Sequence, residues 1–237
     1  MKHRFQTPEE IYRKRAGMPG FHSLDDISDR LIQFIVLLED PAFAVHRGYQ
    51  LNRMKKAALN YFRRRVPLFG GSTITQQLVK NLYFTFEQTI RRKIVELFLA
   101  IWFEKRLTKV QILELYLNII YFSCGQYGIH DAAKFYFGKS PKELTANQSF
   151  FLALVPSAVG WCDPLFYPKE FVQFRDMRAL KLPIIADDAT IQEILRHDAD
   201  HLDEELHPRT ADLNDAPAPM LNEKYGIRGT DPLVTFQ

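Results

Sequence analysis

Two carboxylates stand beside groups that could put them to chemical use: Glu39, next to Asp40, and Glu96, one turn after Arg92 and Lys93. Glu39-Asp40 falls where an apolar pattern of Leu31, Phe34, Ile35 and Leu38 stops, a spacing of i, i+3, i+4, i+7 that reads as one buried helical face. A carboxylate at a helix C-terminus faces the negative end of the helix dipole. That disfavours ionisation and moves its pKa toward the range of a general base. The residues alone equally allow a solvated acidic turn. Phe43, His46 and Gly48 follow within one loop, and a histidine there suits either a structural hydrogen bond or a part in the chemistry.

The stretch Gly70-Gly71-Ser72-Thr73-Ile74-Thr75-Gln76-Gln77-Leu78-Val79-Lys80-Asn81 is dense in hydroxyls and amides, with one lysine a turn beyond them. Glycines permit close backbone approach, and a helix start presents free N–H groups to an anion. The set matches a sugar or a pyrophosphate, with Lys80 as a point charge. It lacks the residue order of a Walker loop. An N-capped helix with a polar face is the other reading. Arg92 and Glu96 are i, i+4 and Lys93 and Glu96 are i, i+3. On bare sequence that is a surface ion pair, and in a site it is a carboxylate orienting cations.

The elements that must hold these groups are helical, and strand alternation is nearly absent. Capping-box patterns at Ser23-Leu24-Asp25-Asp26, Thr108-Lys109-Val110-Gln111 and Thr145-Ala146-Asn147-Gln148 open three helices. The second turns Ile112, Leu115, Tyr116 and Ile119 inward, and the third runs to a stop at Pro156. Ile94, Leu97, Phe98 and Ile101 repeat the buried-face spacing. The expected organisation is an N-terminal extension at 1–20, a mostly α domain at 21–168, and an acidic, proline-rich appendage of helices and loops at 169–237.

The chain has 237 residues, 46% hydrophobic and 25% charged, which excludes wholesale disorder. Cys124 and Cys162 cannot build a disulfide framework or a four-ligand zinc site. His197 and His201 have i, i+4 ligand spacing but no further paired ligand, so no metal set is complete. A net charge of +3 is too mild to argue for nucleic acid. The basic aromatic run through Arg53, Lys55, Lys56, Tyr61, Phe62, Arg63, Arg64 and Arg65 suits a solvated helix face or anionic lipid headgroups. No apolar run reaches the roughly 20 residues that span a bilayer, and no secretory signal opens the chain.

Taken in order, these pieces resemble the peptidoglycan glycosyltransferases of glycosyltransferase family 51, found as monofunctional enzymes and in class A penicillin-binding proteins. The first motif stands as Glu39-Asp40-Pro41-Ala42-Phe43-Ala44-Val45-His46-Arg47-Gly48. The second is Gly71-Ser72-Thr73-Ile74-Thr75-Gln76-Gln77 with Lys80-Asn81. The third is Arg92-Lys93-Ile94-Val95-Glu96, followed by Ile112-Leu113-Glu114-Leu115-Tyr116-Leu117-Asn118. Tyr121, Gly128, Ala132-Ala133 and Tyr136-Phe137-Gly138-Lys139 continue the likeness, which covers about residues 25 to 168. Gln88 and Gln50-Leu51 depart from it, standing where the family usually has a basic and an acidic residue.

The resemblance implies a lysozyme-like fold, with a large helical lobe and a small mobile lobe flanking a cleft. It implies an inverting transferase that joins a growing glycan strand to lipid II through a β-1,4 bond. Glu39 would take the acceptor hydroxyl proton. Glu96 would arrange Lys80, Arg92 and Lys93 around the departing pyrophosphate, with no required cofactor and at most a divalent metal, magnesium or manganese, beside it. Asp40, Phe43, His46, Ser72, Thr73, Gln76 and Gln77 would bind substrate. Lipid II, the membrane surface and cell-wall synthesis proteins are the implied partners, at the outer face of the bacterial cytoplasmic membrane. A non-catalytic sugar-binding relative and a glycan hydrolase on the same scaffold are the rival readings.

Overall fold

A computed structural model describes residues 6–55, 59, 71–84, 89–158, 164–165 and 167–179. Gln88, Cys162, His197, His201 and most of the basic run from Lys56 to Arg65 lie outside the described residues, as does the chain beyond 179. Eight helices are named here: α1 Pro8–Ala16, α2 Asp29–Glu39, α3 Ile74–Tyr83, α4 Ile90–Arg106, α5 Lys109–Ile119, α6 Ile129–Phe137, α7 Ala146–Ala158 and α8 Pro168–Ala179. The fold is mostly α, as expected. Among the described residues the only β pairing is an isolated bridge between Tyr121 and Tyr127.

Two compact units divide the chain. One takes Met1–Leu24 with Leu38–Ile120, the other Asp25–Leu37 with Tyr121–Gln237. In the first unit α3 packs on α4 and α5. The segment set aside in sequence as an extension holds α1, capped by a reciprocal Thr7–Glu10 box. Tyr12 of α1 donates to Glu114 Oε2 on α5 at 2.6 Å, and Glu114 Oε1 accepts the Leu24 N–H at 3.1 Å. This bond and burial push the Tyr12 pKa up to about 12, with Glu114 charge a further cause. Asn118 fastens the same strap, accepting from His22 N at 2.9 Å and donating to His22 O at 2.8 Å.

In the second unit the first turns of α2 bury Leu31, Phe34 and Ile35. Phe34 meets Phe150 edge-on at 5.0 Å, and Ser28 N donates to Pro141 O at 3.0 Å. The Phe151 ring lies 5.3 Å from Tyr136 and 5.0 Å from Phe171, so α8 joins the aromatic core formed by α6 and α7.

The capping reading holds for α5 and α7. Thr108 and Gln111 exchange both bonds, as do Thr145 and Gln148. Two details differ. Residues Leu24–Asp26 form a 3-10 turn and α2 starts only at Asp29. α7 runs two residues past Pro156, because a proline in the last turn forfeits a single helix bond there. The larger correction concerns α4. Its apolar stripe is not a buried face: Ile94 is 51% and Phe98 67% exposed, while Glu96, Ala100 and Phe103 are turned inward.

Candidate active site

The site lies in the first unit and begins where α2 ends. Glu39 is the last residue of that helix, half-buried, and its Oε2 accepts from Gln77 Nε2 at 2.8 Å. Gln77 sits in the first turns of α3, whose start is fixed by a reciprocal box. Thr73 Oγ1 accepts the Gln76 N–H at 3.1 Å, and Gln76 Oε1 accepts the Thr73 N–H at 3.0 Å. The other end of the Gln77 amide accepts from the Tyr116 hydroxyl at 3.2 Å. Tyr116 is fully buried. Burial, with the Glu39 and Asp40 charges added, holds its pKa well above the ordinary tyrosine value, so it stays a proton donor.

Asp40 is enclosed and acts as a hub. Its Oδ2 accepts from His46 Nε2 at 2.7 Å and from Ile74 N at 3.1 Å, and its Oδ1 accepts from Gln50 Nε2 at 2.6 Å. Arg53 approaches at 3.5 Å and also donates to the Glu39 carbonyl at 3.1 Å. Because Gly48 N donates to His46 Nδ1 at 3.0 Å, the His46 proton sits on Nε2 and points at Asp40. Gly48 has φ +90, and a Cβ there would lie 3.0 Å from the Ala100 backbone. Only glycine brings this loop so close to α4 in that conformation. Thr73 Oγ1 closes the circuit by donating to Gly48 O at 2.8 Å.

Asp40, Thr73 and Gln76 are buried, and their polar atoms are directed onto protein partners that fix the loop and the α3 start. Phe43 is likewise buried, edge-on to His46 at 6.1 Å, with Lys109 Nζ 4.5 Å over its ring.

The cations gather around Glu96. Glu96 is wholly buried between Arg92 Nε at 2.9 Å and Lys93 Nζ at 2.8 Å. Lys93 Nζ also donates to Ser72 Oγ at 2.7 Å, which joins the glycine-flanked loop to the cluster. Lys80 is exposed as a residue, and the partial burial of its ammonium holds its pKa below the ordinary lysine value. Lys93 and Arg92 push it the same way, while Glu96 and Glu39 pull it up. Both carboxylates singled out in the sequence therefore act on one ammonium.

Among the described residues no group of three His, Cys, Asp or Glu side chains could hold a metal. A divalent ion at Glu96 would have to displace Arg92 or Lys93, so the donor set does not fit one as it stands. In the sequence, the helical spacing of Tyr116 marks it only as inward-facing, with no sign of the partner of its hydroxyl. Gln50 stands out in the sequence only as a departure from the family pattern. Nothing local to it showed that its amide reaches Asp40.

A transglycosylase family profile matches residues 9–181. The chain is similar to penicillin-binding protein 1A of Aquifex aeolicus (strain VF5), 41% identical over 176 residues, which are 71% of this chain and 24% of that one. It is equally similar to penicillin-binding protein 1A of Escherichia coli (strain K12), 41% identical over 177 residues, with 69% and 20% covered. Penicillin-binding protein 1F of Bacillus subtilis (strain 168) is 35% identical over 154 residues, with 65% and 22% covered. The matched stretch thus spans a quarter or less of these relatives' length. The chain belongs to the transglycosylase family, the peptidoglycan glycosyltransferases that its motifs resemble.

Proposed function

We propose that this chain polymerises lipid II into β-1,4-linked glycan strands, with Glu39 as general base. The 4-hydroxyl oxygen of the acceptor sugar attacks the anomeric carbon of the donor. Its proton passes to Glu39 as the new C–O bond forms with inversion. The bond from that carbon to the pyrophosphate breaks, and the departing oxygen keeps the electron pair. Lys80, Arg92 and Lys93 offset the charge that develops there, a stabilisation available only where preformed charges face the leaving group. Glu96 holds two of these cations in place, so they need not reorganise during the step.

The observation that carries this reading is Glu96, buried between Arg92 Nε at 2.9 Å and Lys93 Nζ at 2.8 Å, with the Lys80 ammonium under the charge of both Glu96 and Glu39. A base and an anion clamp sharing one lysine suit the two ends of a displacement at a glycosyl diphosphate. Gln77 presents its N–H to Glu39 and leaves the carboxylate an acceptor, as a base must be. Lipid II, the growing strand and the membrane surface are the partners of this reaction, and the outer face of the cytoplasmic membrane is where it would run.

The test is incubation of the whole chain with labelled lipid II in detergent and, separately, with membrane vesicles. Polymer that muramidase digests to disaccharide units supports the reading. Binding of lipid II with no product selects the non-catalytic reading, and cleavage of finished strands without elongation selects the hydrolase.

A further inference from the structure

The last turn of α4 turns a further carboxylate inward. The Glu104 side chain is only 6% exposed, so its charge must be met by protein partners. Thr75 Oγ1 donates to Glu104 Oε1 at 2.5 Å, the length of a charge-assisted bond. Lys109 Nζ donates to the same oxygen at 2.8 Å and lies 2.8 Å from Oε2, so it spans both oxygens. Thr75 is fully buried in the first turn of α3, and Lys109 is the first residue of α5. One carboxylate thereby ties the starts of two helices to the end of a third. The loop of Phe43 and Gly48 leans on the same pair. Lys109 Nζ stands 4.5 Å over the Phe43 ring, and a Cβ at Gly48 would meet Glu104 Cγ at 3.1 Å.

The first turn of α3 is therefore held at two adjacent residues. Asp40 accepts the Ile74 N–H at 3.1 Å, and Glu104 accepts the Thr75 hydroxyl. A helix turn pinned by its backbone at one position and by a side chain at the next cannot roll about its axis. Rolling is the motion that would draw Gln77, two residues past Thr75, away from Glu39 Oε2. Positioning at this level matters, because small displacements of a reacting group are expensive in rate.

We propose that Glu104, held by Lys109, is a positioning residue for Glu39, acting through Thr75 and the first turn of α3. The inference rests on the reading of Glu39 as general base and deepens it. None of the three residues need touch substrate.

The test uses the whole chain and two kinds of readout. Thr75→Val keeps the buried volume and removes the donor, while Thr75→Ser restores a hydroxyl. In steady-state polymerisation of lipid II at equal folded concentration, Thr75→Val should lower kcat about tenfold with KM little changed, the size expected for one hydrogen bond to a charged group. Thr75→Ser should recover most of that loss. Lys109→Gln, at a side chain 29% exposed, removes the charge that holds Glu104 and should lower kcat several-fold. The second readout is the NMR signal of the Gln77 side-chain amide, assigned by its loss in Gln77→Met. Thr75→Val and Lys109→Gln should both move it toward its position in Glu39→Gln, and Thr75→Ser should leave it at the parent value.

Parent kcat and a parent Gln77 signal in Thr75→Val overturn the proposal, even if that variant melts lower, since the brace would then serve the fold alone. In a chain that makes polymer, a change in only one of the two readouts overturns it as well. A Gln77 signal that follows Thr75→Val in a parent chain that makes no polymer keeps the positioning and sinks the transferase.

Discussion

The Tyr116 hydroxyl lies 3.2 Å from Gln77 Oε1 and donates to it, which decides which end of the Gln77 amide faces Glu39. An amide side chain has two ends of similar shape and opposite polarity. With its oxygen engaged by a buried phenol, the nitrogen is left to donate to the carboxylate. The orientation of the proposed base is thus set two residues away, from α5 through α3.

Tyr116→Phe tests that relay. The ring still fills its place in the core, but the donor is gone and Gln77 can turn its oxygen toward Glu39. The expected result is a several-fold fall in kcat with KM little changed, in keeping with about 1 kcal/mol for one hydrogen bond. Steady-state polymerisation kinetics, with circular dichroism to confirm folding, check it. A rise in KM alone would place Tyr116 on the substrate side instead.

Lys80 makes a prediction in pH. Its pKa in the folded chain lies below the unfolded value of 10.5, chiefly through desolvation. Clamp charge should therefore be lost, and kcat/KM fall, at a pH below the ordinary lysine range. Lys80→Arg should move that alkaline limb upward, because a guanidinium does not deprotonate there. The stability contribution has the opposite sign. Between the lowered pKa and 10.5 the unfolded chain binds more protons, so this group favours folding increasingly as pH rises through that window. Activity and melting temperature should diverge there. A limb that does not respond to Lys80→Arg would assign the titration to another group.

The resemblance implies that Asp40 binds substrate, and in the structure its carboxylate accepts from His46, Gln50 and Ile74. Asp40→Ala should cost about 3 kcal/mol of stability, since it strands the buried donors of His46, Gln50 and Ile74. Chemical denaturation measures the loss. Inactivity with unchanged stability would return Asp40 to direct contact with substrate.

Much of this arrangement was legible in the sequence because local rules determine it. Apolar spacing ends at Glu39, and the Thr108–Gln111 and Thr145–Gln148 boxes announce their helices. Arg92, Lys93 and Glu96 must meet on any helix that contains them. Other features depend on what lies across space. A stripe such as Ile94–Phe98–Ile101 has the same period whether it faces a core or an open surface, so its exposure could not be read. Tyr116 looks like any inward residue until the partner of its hydroxyl is known. The strap from Tyr12 to Glu114 joins residues 102 positions apart, beyond any local pattern.

The most direct measurement is the rate of glycan formation from lipid II by Glu39→Gln, compared with the parent chain at equal folded concentration. The replacement keeps the shape and removes the proton acceptor. The expected result is a loss of two or more orders of magnitude in kcat, within the roughly 10²–10⁴ that a general base contributes, with lipid II binding retained. Turnover within a few-fold of the parent would contradict the assignment of Glu39 as base.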